Sequence, residues 1–225
     1  MNPLRQVLLA MLIAILVTVN ARGDDKKPET IEGWGTIIDP LGDCTIKREK
    51  QKLVITAPGG THDLNLLVGG MTAPRVLQPL EGDFDVTVKV TSDFNPGHNS
   101  PAFNTRPFNS AGLLVWQDKK NYLRLERNKW WAEEGGAYAC YPPLIEGYRN
   151  GVFLETNPLP TWDRFFRGKS TWLRLERRGE SFTASYSHDG EKWSQAKQIK
   201  MELAKQLRVG VVAVNTSAND LTVEF

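Results

Sequence analysis

The fold class this sequence predicts is all-β: a sandwich or barrel of short antiparallel strands. Three observations predict it. Apolar and polar residues alternate with period two in one stretch after another. Turn-forming residues punctuate those stretches, and helical patterning is confined to a turn or so around Met201–Gln206. The balance of 40% hydrophobic and 24% charged residues is that of a globular chain, and 225 residues can bury a sizeable core in one domain.

The chain opens with a basic start at Met1–Arg5, an apolar run over Val7–Val19 broken only by Thr18, and Val19-Asn20-Ala21 as a cleavage sequence. This is the three-part pattern of a signal peptide over residues 1–21. The run is shorter than the ~20 apolar residues of a comfortable membrane span, and the alternative is an uncleaved N-terminal anchor. No later stretch approaches that length, so no span is expected once the signal is removed. The expected location is therefore secreted, periplasmic or on the cell envelope. Residues 22–32 read as a polar leader and residues 33–225 as the domain.

Within the domain, Phe84, Val86, Val88 and Val90 alternate with Asp85, Thr87 and Lys89, and Phe182, Ala184 and Tyr186 with Thr183 and Ser185. Such alternation buries one face of a strand. Leu207–Val214 is more continuously apolar, as a strand covered on both faces would be. Asn150-Gly151 and Asp189-Gly190 suit tight hairpins because both residue types tolerate positive φ. The stretch Tyr122-Leu-Arg-Leu-Glu-Arg127 recurs as Trp172-Leu-Arg-Leu-Glu-Arg177, with an irregular segment rich in aromatics, Trp130–Phe166, between the copies. That segment either caps the core or walls a cleft.

The formal charge is +2, of which Arg5 in the leader supplies one, and basic pairs such as Arg177-Arg178 sit beside acids, so no nucleic-acid partner is expected. No phosphate-binding glycine loop, Gly-x-Ser-x-Gly elbow or His-Glu-x-x-His is present, and no catalytic residue is assigned. Cys44 and Cys140 are far apart and His62, His98 and His188 are scattered, so spacing offers no zinc site. Export permits a Cys44–Cys140 disulfide without the sequence settling it, and the large core should fold with either cysteine replaced.

Several segments carry a family resemblance: Gly33-Trp34-Gly35, Asp39-Pro-Leu-Gly-Asp-Cys44, Pro58-Gly-Gly-Thr-His-Asp-Leu64, Ala73-Pro-Arg-Val-Leu77, Gly82-Asp-Phe84, Ala111-Gly-Leu-Leu-Val-Trp116, Tyr122–Arg127 and Tyr186–Trp193. Together they resemble domain-of-unknown-function family 1349, in the concanavalin A-like lectin and glucanase superfamily, over roughly residues 33–225. The resemblance implies an antiparallel two-sheet jelly-roll sandwich with ligands on the concave sheet or its rim. It implies no particular activity, because the superfamily holds lectins, carbohydrate-binding modules and glycoside hydrolases. The Glu-x-Asp-x-Glu strand of its glucanases is absent. Superfamily members often carry structural calcium, for which Asp39, Asp43 and Asp220 are oxygen donors without calcium-loop spacing, so no cofactor is assigned. The chain ends at Phe225 inside the expected last strand, where pairing is expected to be thin. Ser187-His-Asp-Gly190 reads as a hairpin turn with Trp193 packed beneath.

The candidate ligand-binding residues are Trp116, Tyr122, Arg124, Glu126, Trp172, Arg174 and Glu176. If the two repeated strands are neighbours with their leucines inward, the four charges share one face flanked by Tyr122 and Trp172. Aromatic rings and charged forks of this kind bind sugars, and a cross-strand salt-bridge ladder is the alternative. The functional expectation is a non-catalytic module binding a glycan or polysaccharide. The alternatives are a glycoside hydrolase or lyase using Glu126 and Glu176, and a structural or protein-interaction domain.

Overall fold

The computed structural model describes residues 28–66, 70–101, 106–132, 137–139, 144–154 and 168–225. The expected signal peptide, Cys140 and the aromatic residues Tyr141, Trp162, Phe165 and Phe166 lie outside them.

In chain order the strands are β1 (Thr30–Ile31), β2 (Gly35–Ile38), β3 (Thr45–Glu49), β4 (Lys52–Ala57), β5 (Leu64–Asn65), β6 (Gly70–Met71), β7 (Arg75–Glu81), β8 (Phe84–Thr91), β9 (Phe108–Asp118), β10 (Asn121–Ala132), β11 (Ala137–Ala139), β12 (Leu144–Arg149), β13 (Val152–Leu154), β14 (Ser170–Arg178), β15 (Ser181–Ser187), β16 (Ser194–Lys200), β17 (Gln206–Asn215) and β18 (Leu221–Glu224). They form two large antiparallel sheets and a small hairpin. The first sheet runs β1-β2-β7-β17-β9-β10-β12-β13, with β11 beside β10. The second runs β16-β15-β14-β8-β18-β4-β3, and β5 pairs β6.

The main core lies between the sheets. Alternation supplies it: Leu113, Val115, Leu123, Leu125, Val209 and Val211 come from the first sheet, and Leu53, Ile55, Val88, Val90, Leu173 and Leu175 from the second. Each such side chain, fully buried, contributes ~1.5–3 kcal/mol relative to exposure. As the repeat suggested, all four of its leucines point inward. So do Arg127 and Arg177, at the end of each copy. Arg127 donates to the carbonyls of Gly168 and Lys169, and Arg177 to those of Gly179, Leu203 and Ala204. Each arginine closes the margin of the core by satisfying loop carbonyls that burial would otherwise leave bare.

A second, smaller core covers the outer face of the first sheet. Leu77, Leu114, Trp116, Tyr122, Tyr148, Val212 and Val214 pack there with Leu64 of β5 and with Ala73, just beyond β6. This explains why Leu207–Val214 is more continuously apolar: β17 sits inside its sheet between β7 and β9, with both faces covered from Val211 onward, while Arg208 stays exposed.

Four expectations need adjusting. Met201–Gln206 is not helical; it is an extended link in which Met201 is fully buried and donates its N–H to Glu180. Thr30-Ile31, within the expected polar leader, forms β1, and Ile31 packs on the main core. The last strand is interior: β18 pairs β4 at four positions, although it meets β8 at Glu224 alone, and Phe225 exchanges backbone bonds with Leu53. The Asp189-Gly190 turn forms as expected, Asp189 accepting the N–H groups of Glu191 and Lys192, but the ring against Gly190 is Trp172 and not Trp193. At the other expected hairpin, Asn150 and Gly151 both have positive φ, 53° and 79°.

Candidate functional site

The two copies of the repeated strand lie in opposite sheets. β10 has β9 and β12 as neighbours, whereas β14 lies between β8 and β15. With the leucines of both copies inward, the charges of each point away from the sandwich in opposite directions. Arg124, Glu126, Arg174 and Glu176 therefore do not form one patch, and Glu126 and Glu176 are not a catalytic pair. Period two fixes which residues face the core but not which sheet a strand joins.

On the first sheet, β10 presents Tyr122, Arg124, Glu126 and Asn128 to the outer face. Glu146 of β12 stands opposite Arg124 in register, and Gly112 of β9 stands opposite Glu126. Arg124 donates through Nε to Glu146 Oε2 at 3.0 Å and through Nη2 to the same oxygen. Its Nη1 lies 3.5 Å from Glu126 Oε2, which also accepts the Ser110 hydroxyl at 2.9 Å. Asp63, in the segment entering β5, adds a third carboxyl that feels the Arg124 charge. Gly112 makes room: a Cβ there would sit 2.0 Å from the Leu125 carbonyl oxygen.

This cluster is out of water. Arg124 is 3% exposed, and Glu126 and Asn128 are fully buried. One guanidinium serves three carboxyl groups, so the site lacks positive charge for full ionisation. Burial pushes Glu126 up to about 7, against the pull of Arg124. Burial likewise raises Asp63. For Arg124 burial acts downward, but Glu126, Glu146 and Asp63 outweigh it and raise the guanidinium above its ordinary value. Arg124 Nη1, Glu126 Oε1 and both atoms of the Asn128 amide are buried without a hydrogen-bond partner. Buried polar atoms left unmet cost free energy, ~1–3 kcal/mol each, and they converge on one side of β10.

The aromatic residues beside the cluster form a stack. Ring centroids are 5.4 Å apart for Trp116–Tyr122, 5.0 Å for Tyr122–Tyr148 and 5.2 Å for Tyr148–Phe153. Tyr122 is fully buried, and its hydroxyl donates to the Leu64 carbonyl at 2.8 Å; Tyr148 donates to Asn65 Oδ1. Tyr122 thus anchors the β5–β6 hairpin and offers no open ring face to a sugar. Trp116, with the Arg75 guanidinium 4.8 Å from its ring, borders an open depression of about 450 Å³ alongside Glu81, Gln117 and Arg208.

The second copy is a solvated ladder. Arg174 is held by Asp85 of β8 through a two-point contact, with Nε at 2.9 Å and 3.1 Å from its oxygens, and reaches Glu176 at 3.1 Å. The side chains of Arg174 and Glu176 are 34% and 29% exposed. Lys89 lies over the Trp172 ring and Arg174 over that of Trp193. For Arg174 and Glu176 the salt-bridge alternative describes the geometry.

Sequence reasoning missed Asp63, Ser110, Asn128 and Glu146. Alternation around Ile145 and Gly147 signals that Glu146 shares a face with Tyr148, but its opposition to Arg124 is a matter of register. The three aspartates named as calcium donors do not converge. Asp39 accepts the N–H groups of Gly42 and Cys44, and Asp220 that of Gly59. Asp43 instead meets His62, its Oδ1 lying 3.0 Å from His62 Nε2 and 3.5 Å from the free thiol of Cys44. Among the described residues, Asp43, Cys44 and His62 have their ligand atoms within 4.8 Å of one another, so the scattered spacing in sequence concealed a spatial group.

Residues 156–225 match the model of the family "Protein of unknown function (DUF1349)", the one the sequence motifs resemble. No curated protein matches the chain. Among solved structures, a functionally unknown protein from Saccharomyces cerevisiae aligns with a TM-score of 0.62 at 16% identity, over 85% of this chain and 92% of that one. The GH43 protein BlXynB from Bacillus licheniformis aligns with a TM-score of 0.57 at 17% identity, over 84% of this chain but 34% of its own length. The lectin I-B4 from Griffonia simplicifolia gives 0.51 at 12% identity, over 84% and 89%. Similarity at these identities establishes the shared fold, and the antiparallel jelly-roll expectation is borne out.

Proposed function

We propose that this chain, whose residues 156–225 match DUF1349, is an exported carbohydrate-binding β-sandwich that holds its glycan at the Arg124–Glu126–Asn128 cluster. One observation carries the reading: Arg124 Nη1, Glu126 Oε1 and the Asn128 amide lie on one face of β10, buried and without hydrogen-bond partners, so a glycan would meet them on displacing the cover that excludes water. Sugar hydroxyls donate and accept at once, and a charged fork beside a neutral amide answers both roles. A lectin and a GH43 protein among the chains of similar fold make sugars the first ligand class to test. Export rests on the leader, and N-terminal sequencing of protein from the producing cell should begin near Arg22. A glycan array probed with residues 22–225 should give a defined set of sugars; a blank array would favour the structural or protein-interaction alternative.

A second reading has its own observation. Glu126, pushed up to about 7 by burial beside the Arg124–Glu146 contact, is the carboxyl suited to act as a general acid. In a glycoside hydrolase its partner would be Glu146, not Glu176. Glu126→Gln separates the readings: a binding module keeps much of its affinity, whereas a hydrolase loses nearly all turnover of aryl glycosides.

A further inference from the structure

We propose that Asp43, Cys44 and His62 form a binding site for a thiophilic divalent cation of the zinc type, distinct from the sugar cluster. The three donors are carboxylate oxygen, thiol sulfur and imidazole nitrogen, the mixture that zinc accepts. Their spacing fits: ligands ~2.0–2.3 Å from a tetrahedral ion lie roughly 3.3–3.7 Å from one another. Here Asp43 Oδ1 is 3.0 Å from His62 Nε2 and 3.5 Å from Cys44 Sγ, with all three within 4.8 Å. Asp43 and His62 would part by a few tenths of an ångström and Cys44 would close toward His62 to admit the ion.

The donors are held by groups outside the triad. The Asp39 carboxylate accepts the Cys44 N–H at 2.9 Å and the Gly42 N–H at 3.1 Å, fixing the loop before β3. His62 exchanges backbone hydrogen bonds with Asn215, at 2.8 Å and 2.9 Å. Its ring is 1% exposed, with Nε2 aimed at Asp43 and Nδ1 without a partner. A histidine buried to this degree, with one nitrogen directed at a carboxylate that also meets a thiol, is a pre-oriented ligand. Asp43 is 46% exposed on the solvent side, which gives the ion an entry path and leaves a coordination position for water. On binding, the Cys44 thiol gives up its proton to solvent and its sulfur bonds the metal as thiolate.

The location assigns the ion a task. His62 directly precedes Asp63 of the sugar cluster and the β5–β6 hairpin that covers the first sheet. A metal would tie this segment to the loop before β3, clamping the cover without touching the glycan.

The test is a zinc titration of residues 22–225, kept reduced, against a chromogenic chelator, with a parallel cobalt titration followed by absorption. The expectation is one zinc per chain and a thiolate-to-cobalt charge-transfer band. Cys44→Ser should abolish the band and weaken zinc binding beyond the ~10–100-fold typical of outer-shell changes. Asp43→Asn should weaken zinc as well, while Cys140→Ser should change neither. If a Cys44→Ser chain fails to fold by circular dichroism, Asp43→Asn alone decides. No zinc uptake by the unaltered chain overturns the proposal. So does unchanged affinity in Asp43→Asn, or a band that disappears only in Cys140→Ser.

Discussion

Leu-Arg-Leu-Glu-Arg occurs twice in this protein, and the two copies show how far environment outweighs sequence. In β10 the outward Arg124 and Glu126 lie beside a second core, almost wholly out of water. In β14 the outward Arg174 and Glu176 stay about one-third exposed and share their charge with Asp85. The inward residues behave alike in both: leucines in the core, a terminal arginine on loop carbonyls. The copies differ only where a neighbouring segment covers one sheet and leaves the other open. The difference turns one pair of charges into a strained cluster with unmet hydrogen bonds and the other into a self-satisfied ladder.

Arginine removal should separate the copies most widely. Arg124→Ala leaves the buried Glu126 and the part-buried Glu146 without their cation, a change that costs ~3–5 kcal/mol. Arg174→Ala breaks partly exposed pairs and should cost no more than ~1 kcal/mol. Urea unfolding of the two variants measures both, and equal costs would erase the distinction. Gly112→Ala comes next. Its Cβ would press on the backbone of β10 at Leu125 and Glu126, and overpacking of this kind costs ~1–3 kcal/mol. The thermal midpoint should fall accordingly, while Gly82→Ala, which meets no atom within 4 Å, pays only for its positive φ of 76°.

A smaller effect lies in the pH profile. Glu126 titrates at about 7 in the folded chain, above the 4.5 of an unperturbed glutamate, and Asp63 is raised in the same sense. The folded state therefore binds more protons than the unfolded one between these values. The contribution of Glu126 to stability is fully present below about 4.5 and is lost as pH rises through 7, and Asp63 acts in the same direction. Unfolding midpoints from pH 4.5 to 8 should decline, and Glu126→Gln should flatten that decline. Smallest of all is the response to salt. The modest cost of Arg174→Ala should shrink further at 1 M salt, where screening acts within ~3 Å, and that of Arg124→Ala should persist.

Much of this architecture was legible in the sequence because alternation reports burial directly. The inward leucines of both repeats, the buried faces of β8 and β15 and the Asn150-Gly151 hairpin all follow from local pattern. The partition of β10 and β14 between sheets did not, because it is decided by long-range pairing. The same limit hid half of the candidate site. Arg124 and Glu126 stand out as repeated charges, but Glu146 and Asp63 join them only through register and through a hairpin folding over the sheet. Tyr122 and Trp172 looked like sugar platforms, since an aromatic flanking a charge reads the same whether a hairpin covers it or not.

If the proposed function holds, the cluster on the first sheet, and not the ladder on the second, meets the glycan. Calorimetric titration of an array-selected sugar into the unaltered, Asn128→Ala and Arg174→Ala chains tests it most directly. Asn128 touches no charge in the network by hydrogen bond, so its loss should leave the fold intact. Asn128→Ala should weaken binding about tenfold, the ~1.4 kcal/mol scale of one buried hydrogen bond, with Arg174→Ala binding as the unaltered chain does. Undiminished binding by a folded Asn128→Ala chain, together with loss of binding in Arg174→Ala, would contradict it and move the site to the opposite sheet.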